Sequence, residues 1–96
     1  HLIGDSEFKL MKSDSIIINT CRGEVINEKS LEKALENNEI AGAALDVFEI
    51  EPLPKDSNLR KYDNVLFSPH NSNASPKTFN LVDKLSINNL FAGLNI

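Results

Sequence analysis

The chain has 96 residues, 41% of them hydrophobic and 25% charged, with a formal net charge of −4 at pH 7. Lys and Arg total 10 and are scattered, which argues against a nucleic-acid groove or docking on an anionic membrane surface. No apolar run approaches membrane-spanning length. The single Cys21 rules out an internal disulfide framework and fits a reducing, cytoplasmic setting. His1 stands where Met would start a complete protein, so a piece of a longer chain is expected, with no visible signal-peptide pattern. There is no internal repeat or low-complexity segment, and no metal is expected.

Residues 5–12 predict a short helix, with Asp5 or Ser6 as its cap and Phe8 and Met11 on one face. Ser13-Asp14 breaks it. Ser15–Asn19 follows as a strand whose β-branched run Ile16-Ile17-Ile18 suits burial on both faces. A second helix is expected from about Glu28 to Asn37, with Asn27 as N-cap. Ile26 and Leu31 form a hydrophobic staple, and Leu31, Ala34 and Leu35 a narrow apolar stripe. Residues 42–46, within Ile40–Val47, read as a second apolar strand of small side chains, closed by Asp46.

Pro52 and Pro54 make residues 48–56 a loop. Asn58–Lys61 suits one helical turn, and Val65–Phe67 a third strand left through Ser68-Pro69-His70. The last helix, 76–92, has Ser75 at its N-cap, Pro76 at its first position and Gly93 as its stop. Phe79, Val82, Leu85, Leu90 and Phe91 are its apolar contacts. The order α-β-α-β-loop-β-α argues for an α/β fold: a parallel sheet with helices on its faces and its strand ends on one rim.

In such sheets ligands bind beyond the carboxyl ends of the strands. Arg22 follows the first strand, Asp46 ends the second, Glu51 lies in the proline-flanked loop and His70 leaves the third strand. An Arg there either clamps a carboxylate or phosphate through its planar fork or sits in a solvated loop. Gly23 lets the backbone turn sharply beside a ligand. His70 exchanges a proton near neutral pH or is structural, and Glu51 either fixes the imidazole tautomer or is a solvated loop acid. Asp46 either joins them or caps a turn. Cys21 is read as a packing residue, since it abuts a strand and has no dedicated base. Together these groups suit reduction of a ketone, where the carbonyl oxygen needs a proton as hydride arrives.

The segments Ile18-Asn19-Thr20-Cys21-Arg22-Gly23, Leu31–Leu35, Ala41–Pro52 and Asn64–His70 resemble the D-isomer-specific 2-hydroxyacid dehydrogenases over nearly the whole chain. The spacings agree, with 29 residues from Arg22 to Glu51 and 19 from Glu51 to His70. The resemblance implies a Rossmann-type parallel sheet, with residues 1–96 as the second half of a dinucleotide-binding domain. It implies that Arg22 holds the substrate carboxylate, that His70 is the acid/base, and that Glu51 is its partner. It places Thr20, Cys21, Arg22, Asp46, His70 and Ser72 at the cofactor, NAD with NADP left open. Asp46 meets the nicotinamide carboxamide.

The implied substrates are small 2-oxo and 2-hydroxy acids, and the implied full-length protein is a homodimer. No G-x-G-x-x-G occurs in the sequence, so the isolated piece is expected to be inactive and to expose apolar surface along an unpaired sheet edge. Glu51 argues against the formate-oxidising branch, which carries Gln there. Asn71-Ser72-Asn73 is more polar than the family's usual stretch, and Ser75 stands where Thr is usual. The alternative reading is a dinucleotide-sensing interaction protein, like the transcriptional corepressors built on this fold.

Overall fold

The β-branched run at Ile16–Asn19 and the small-residue run at Gly42–Leu45 pair as parallel strands β1 and β2. Val65–Phe67, strand β3, pairs parallel with β2 on its other side, giving the order β1-β2-β3. The structure is a computed structural model, described for residues 1–95. Helix α1 spans Asp5–Phe8, α2 spans Glu28–Glu36 and α3 spans Pro76–Leu94. Short 3-10 turns occupy Gly23–Val25 and Asn58–Lys61.

Asn27 caps α2 as its sequence position requires, its side-chain oxygen accepting from Ser30 N at 2.9 Å. Ile26 and Leu31 are buried as a staple pair. The stripe Leu31, Ala34 and Leu35 packs with Phe8, Ile40, Ala43, Leu45, Leu59 and Val65 into one core. Register follows from this burial: Asn19 lies opposite Leu45 and Leu45 opposite Phe67, so the three strands end together.

Burial of β1 on both faces is not what forms. Ile17 packs against the core, while Ile16 and Ile18 are 63% and 69% exposed. Period-2 alternation sends them to the opposite face, where Leu66 of β3 also stands exposed. The core helices lie on the Ile17 side. The expected apolar contacts of α3 are likewise not made: Phe79, Val82, Leu85, Leu90 and Phe91 are 48–56% exposed, and no residue of that helix is buried. Among the described residues no helix is long and apolar enough to cross a membrane.

The helix ends differ in detail. The helix over 5–12 stops at Phe8, because Leu10 N and Met11 N donate to Glu7 O and Phe8 O, three residues back, and tighten the chain into turns. Gly4, not Asp5 or Ser6, holds the N-cap position, and its N–H donates to the Glu7 carboxylate at 2.8 Å. Asp5 begins the helix and pairs with Lys33 of α2 at 3.3 Å. Ser75 precedes α3 but makes no side-chain cap bond. The helix passes through Gly93, and Asn95 ends it in the left-handed conformation, φ 56°.

Candidate active site

The common strand ends put three loops on one rim. After β1, buried Asn19 shapes the turn: its Oδ1 accepts from Cys21 N at 3.1 Å and its Nδ2 donates to Arg22 O at 2.9 Å. This asparagine staple holds Thr20, Cys21 and Arg22 outward, all three exposed. The Arg22 guanidinium folds back so that Nη1 donates to Cys21 O at 2.7 Å.

Gly23 is not at positive φ, so its role is not the sharp turn expected from the sequence. It is needed for closeness. A Cβ there would sit 1.9 Å from Phe48 C, 2.0 Å from Phe48 O and 2.4 Å from Glu49 N. The turn after β1 is therefore pressed backbone to backbone against the loop after β2.

That second loop carries Asp46 and Glu51. Glu51 Oε1 accepts from Phe48 N at 3.0 Å and its Oε2 meets His70 Nδ1 at 2.7 Å. The His70 hydrogen bond, the Phe48 amide and the Arg22 charge together lower the Glu51 pKa from its ordinary value. With an ionised carboxylate as acceptor, Nδ1 carries the proton and Nε2 is left outside that contact.

His70 itself lies in the left-handed region, φ 54°, a conformation disfavoured for a residue with a Cβ. Buried Asp46 offsets that strain, accepting from Asn71 N on Oδ1 and from Ser72 N on Oδ2, both at 2.9 Å. Successive amides around a left-handed residue form an anion cradle, and here the anion is the protein's own carboxylate. The Ser68 hydroxyl and the Ser72 and Asn71 amides hold the Asp46 carboxyl well below the usual carboxylate range. A carboxyl whose folded pKa is depressed contributes stability present above its unfolded pKa of about 3.9 and lost as pH falls below it. Asp46→Asn is therefore expected to lower the thermal midpoint at pH 7 and to show a shrinking difference from wild type below about pH 4. A constant gap across that range, measured by calorimetry, would exclude this role for the carboxylate.

A cavity of about 560 Å³ opens beside His70 and Glu51, walled by Phe48, Leu53, Phe67 and Pro69. Phe48 and Phe67 face each other with ring centroids 6.1 Å apart. Arg60 closes the far wall and fixes the proline loop through Leu53 O and Pro54 O, at 2.8 and 2.9 Å.

The structure thus brings Glu51 and His70 into contact and sets Arg22 on the same rim. Arg22 does not line the cavity. Ser72 reaches the site through its amide on Asp46. The sequence reading missed Asn19, whose signal is an Asx-type turn at a strand end. It also missed Glu28 and Glu49, which lie 21 residues apart and give no local signal.

The sequence profile of the D-isomer specific 2-hydroxyacid dehydrogenase NAD binding domain matches residues 1–72. A glyoxylate reductase of Korarchaeum cryptofilum is 45% identical over 92 residues, 96% of this chain and 28% of its own length. A crystal structure of a glyoxylate reductase from Paecilomyes thermophila superimposes with a TM-score of 0.78 at 37% identity, covering 94% of this chain and 27% of that one. A D-isomer specific 2-hydroxyacid dehydrogenase from Xanthobacter autotrophicus Py2, in complex with NADPH and MES, has a TM-score of 0.69 at 43% identity, over 72% of this chain and 22% of that one. The chain spans under a third of the length of these relatives. It belongs to the D-isomer specific 2-hydroxyacid dehydrogenase family, as part of its NAD binding domain.

Proposed function

We propose that the full-length protein interconverts a 2-oxo acid and a D-2-hydroxy acid with NAD or NADP. The observation that carries this reading is the 2.7 Å contact between His70 Nδ1 and Glu51 Oε2 on the sheet's ligand rim. In reduction, His70 delivers a proton from Nε2 to the carbonyl oxygen of the substrate. Glu51 holds the ring by its other nitrogen and stabilises the imidazolium before that transfer. Arg22 swings from the Cys21 carbonyl to take the substrate carboxylate, exchanging a single backbone bond for a two-pronged ionic one.

The rim fits the nicotinamide end of the cofactor. The support for this is the Asn19-held turn with exposed Thr20 and Cys21 beside Arg22, and the Asp46–Ser72 contact in the loop after β3. The bound nicotinamide supplies or accepts the hydride. No glycine-rich phosphate loop occurs in these residues, so they supply no pyrophosphate cradle of that type. A cytoplasmic homodimer belongs to the same reading, supported by the family membership and the single cysteine.

Glyoxylate is the first substrate to try, since the Korarchaeum and Paecilomyes relatives are named for it. The test is turnover by the full-length protein with NADH and NADPH across a panel of 2-oxo acids. Arg22→Lys is expected to lower kcat/KM for every accepted acid by roughly ten- to a hundredfold. That equals the loss of about 1.5–3 kcal/mol of charge-assisted hydrogen bonding in the transition state. An ammonium keeps the charge but loses the plane that orients two oxygens. Wild-type kcat/KM in that variant would remove Arg22 from the role. Cofactor binding with no turnover of any acid would favour the corepressor-like alternative.

A further inference from the structure

The loop that carries Glu51 is gripped from outside the rim. Glu49 N donates to Glu28 Oε1 at 2.7 Å, and Glu28 N donates to Glu49 Oε1 at 2.9 Å. Two acidic residues, 21 apart in sequence, thus exchange backbone amides for carboxylates and bind the loop after β2 to the first turn of α2. His1 Nε2 also lies 2.9 Å from Glu49 Oε1. The arrangement sets two like charges side by side, and burial pushes the Glu28 carboxyl above its ordinary value. Such a pairing is a poor choice if the aim were only to fasten a loop.

What it fastens is the Phe48–Glu49 peptide, where two parts of the site meet. On one side that peptide is pressed against Gly23, next to Arg22. On the other, the adjoining Val47–Phe48 peptide, one Cα away, presents Phe48 N to Glu51 Oε1, and Glu51 holds His70. Sliding the peptide would loosen both at once.

We infer that Glu28 and Glu49 are positioning residues: their reciprocal bracket clamps the Phe48–Glu49 peptide on Gly23 and so fixes Glu51 against His70 Nδ1. This rests on the proposed acid/base role of His70 but is measurable without turnover. The ring of a solvated, unpartnered histidine side chain prefers the proton on Nε2, whereas a carboxylate at Nδ1 holds it there. The tautomer of His70 therefore reports whether Glu51 is in place.

The experiment uses the full-length protein with labelled imidazole, above the pH at which the ring is protonated. Nitrogen NMR reads the tautomer, and steady-state kinetics with glyoxylate or the best accepted 2-oxo acid run alongside. Glu49→Ala is expected to shift His70 from mostly Nδ1–H toward Nε2–H and to lower kcat/KM by about ten- to a hundredfold, the scale for a slightly misplaced catalytic group. Glu49→Gln keeps an oxygen acceptor for Glu28 N and is expected to restore the Nδ1–H tautomer and most of the activity. Glu28→Ala removes the other arm and must shift the tautomer in the same direction, so the inference remains testable if Glu49→Ala does not fold. An unchanged tautomer in both alanine variants overturns it. So does a Gln variant that loses the tautomer as fully as Ala. If the wild type reduces no 2-oxo acid, the proposed function fails while the tautomer measurement still decides the bracket.

Discussion

Gly23→Ala in the full-length protein is expected to destabilise it by about 3 kcal/mol, the upper end of the usual overpacking range, and to cut turnover severely. The reason is that the added methyl meets backbone. Phe48 C, Phe48 O and Glu49 N would all lie within 2.4 Å of it, and a peptide group cannot rotate aside as a side-chain tip can. Either the turn after β1 or the loop after β2 must move. The first carries Arg22 and the second carries Glu51, so relief of the clash shifts apart two groups that the proposed reaction uses together. Gly93→Ala provides the contrast. Nothing lies within 4 Å of a Cβ at that position inside α3, and replacing a helical Gly by Ala is expected to stabilise by about 0.5–1 kcal/mol. Urea unfolding of both variants checks the pair. A Gly23→Ala protein with wild-type stability and kcat/KM would show that the two loops are not in register as described.

The same glycine marks a boundary of what the sequence could show. The order of strands and helices and the start of α2 were legible because their signals are local: the Asn27 cap, Ile26 with Leu31, and the apolar strands at Ile16–Asn19, Gly42–Leu45 and Val65–Phe67. The caps expected for the first and last helices were not what forms. Parallel pairing then followed from the element order, and with it the rim on which Arg22, Asp46, Glu51 and His70 stand. Gly23 was legible as necessary but not for its reason, since close approach to Phe48 is a tertiary fact. The Asp46 cradle and the Glu28–Glu49 bracket join residues 21 to 26 positions apart through backbone amides, which no residue pattern encodes. Exposure was misjudged at Ile16, Ile18 and along α3 for a related reason. An apolar run says that a surface is fit for burial; which partner covers it lies beyond the run itself.

His70→Asn is expected to lower kcat for 2-oxo acid reduction by roughly a hundred- to ten-thousandfold, the usual scale for losing a general acid. Asparagine is the better replacement than alanine because the site demands a left-handed backbone, φ 54°. Asn tolerates that region, whereas Ala meets the Cβ penalty of about 1–2 kcal/mol and would confuse strain with lost chemistry. With Asn in place the Asp46 contacts to Asn71 and Ser72 should persist, so the loop keeps its shape and cofactor affinity changes little. Glu51 behaves differently. Its lowered pKa has the His70 hydrogen bond as its largest cause, so the carboxyl moves back up toward its ordinary value in the variant. The stability it contributes is fully present above its unfolded pKa of about 4.3 and is lost as pH falls from there through the folded value. In the variant that contribution is smaller and is exhausted at a higher pH, because the folded value lies closer to the unfolded one. The reduction rate should also lose its dependence on pH near neutrality, because imidazole is the side chain whose ordinary charge change falls there. Kinetics from pH 5 to 9, with direct cofactor titration and acid unfolding of the same variant, separate these effects. A variant that keeps the wild-type rate and its pH profile while binding cofactor normally would leave His70 a structural residue at the end of β3, and the proton would have to come from elsewhere on the rim.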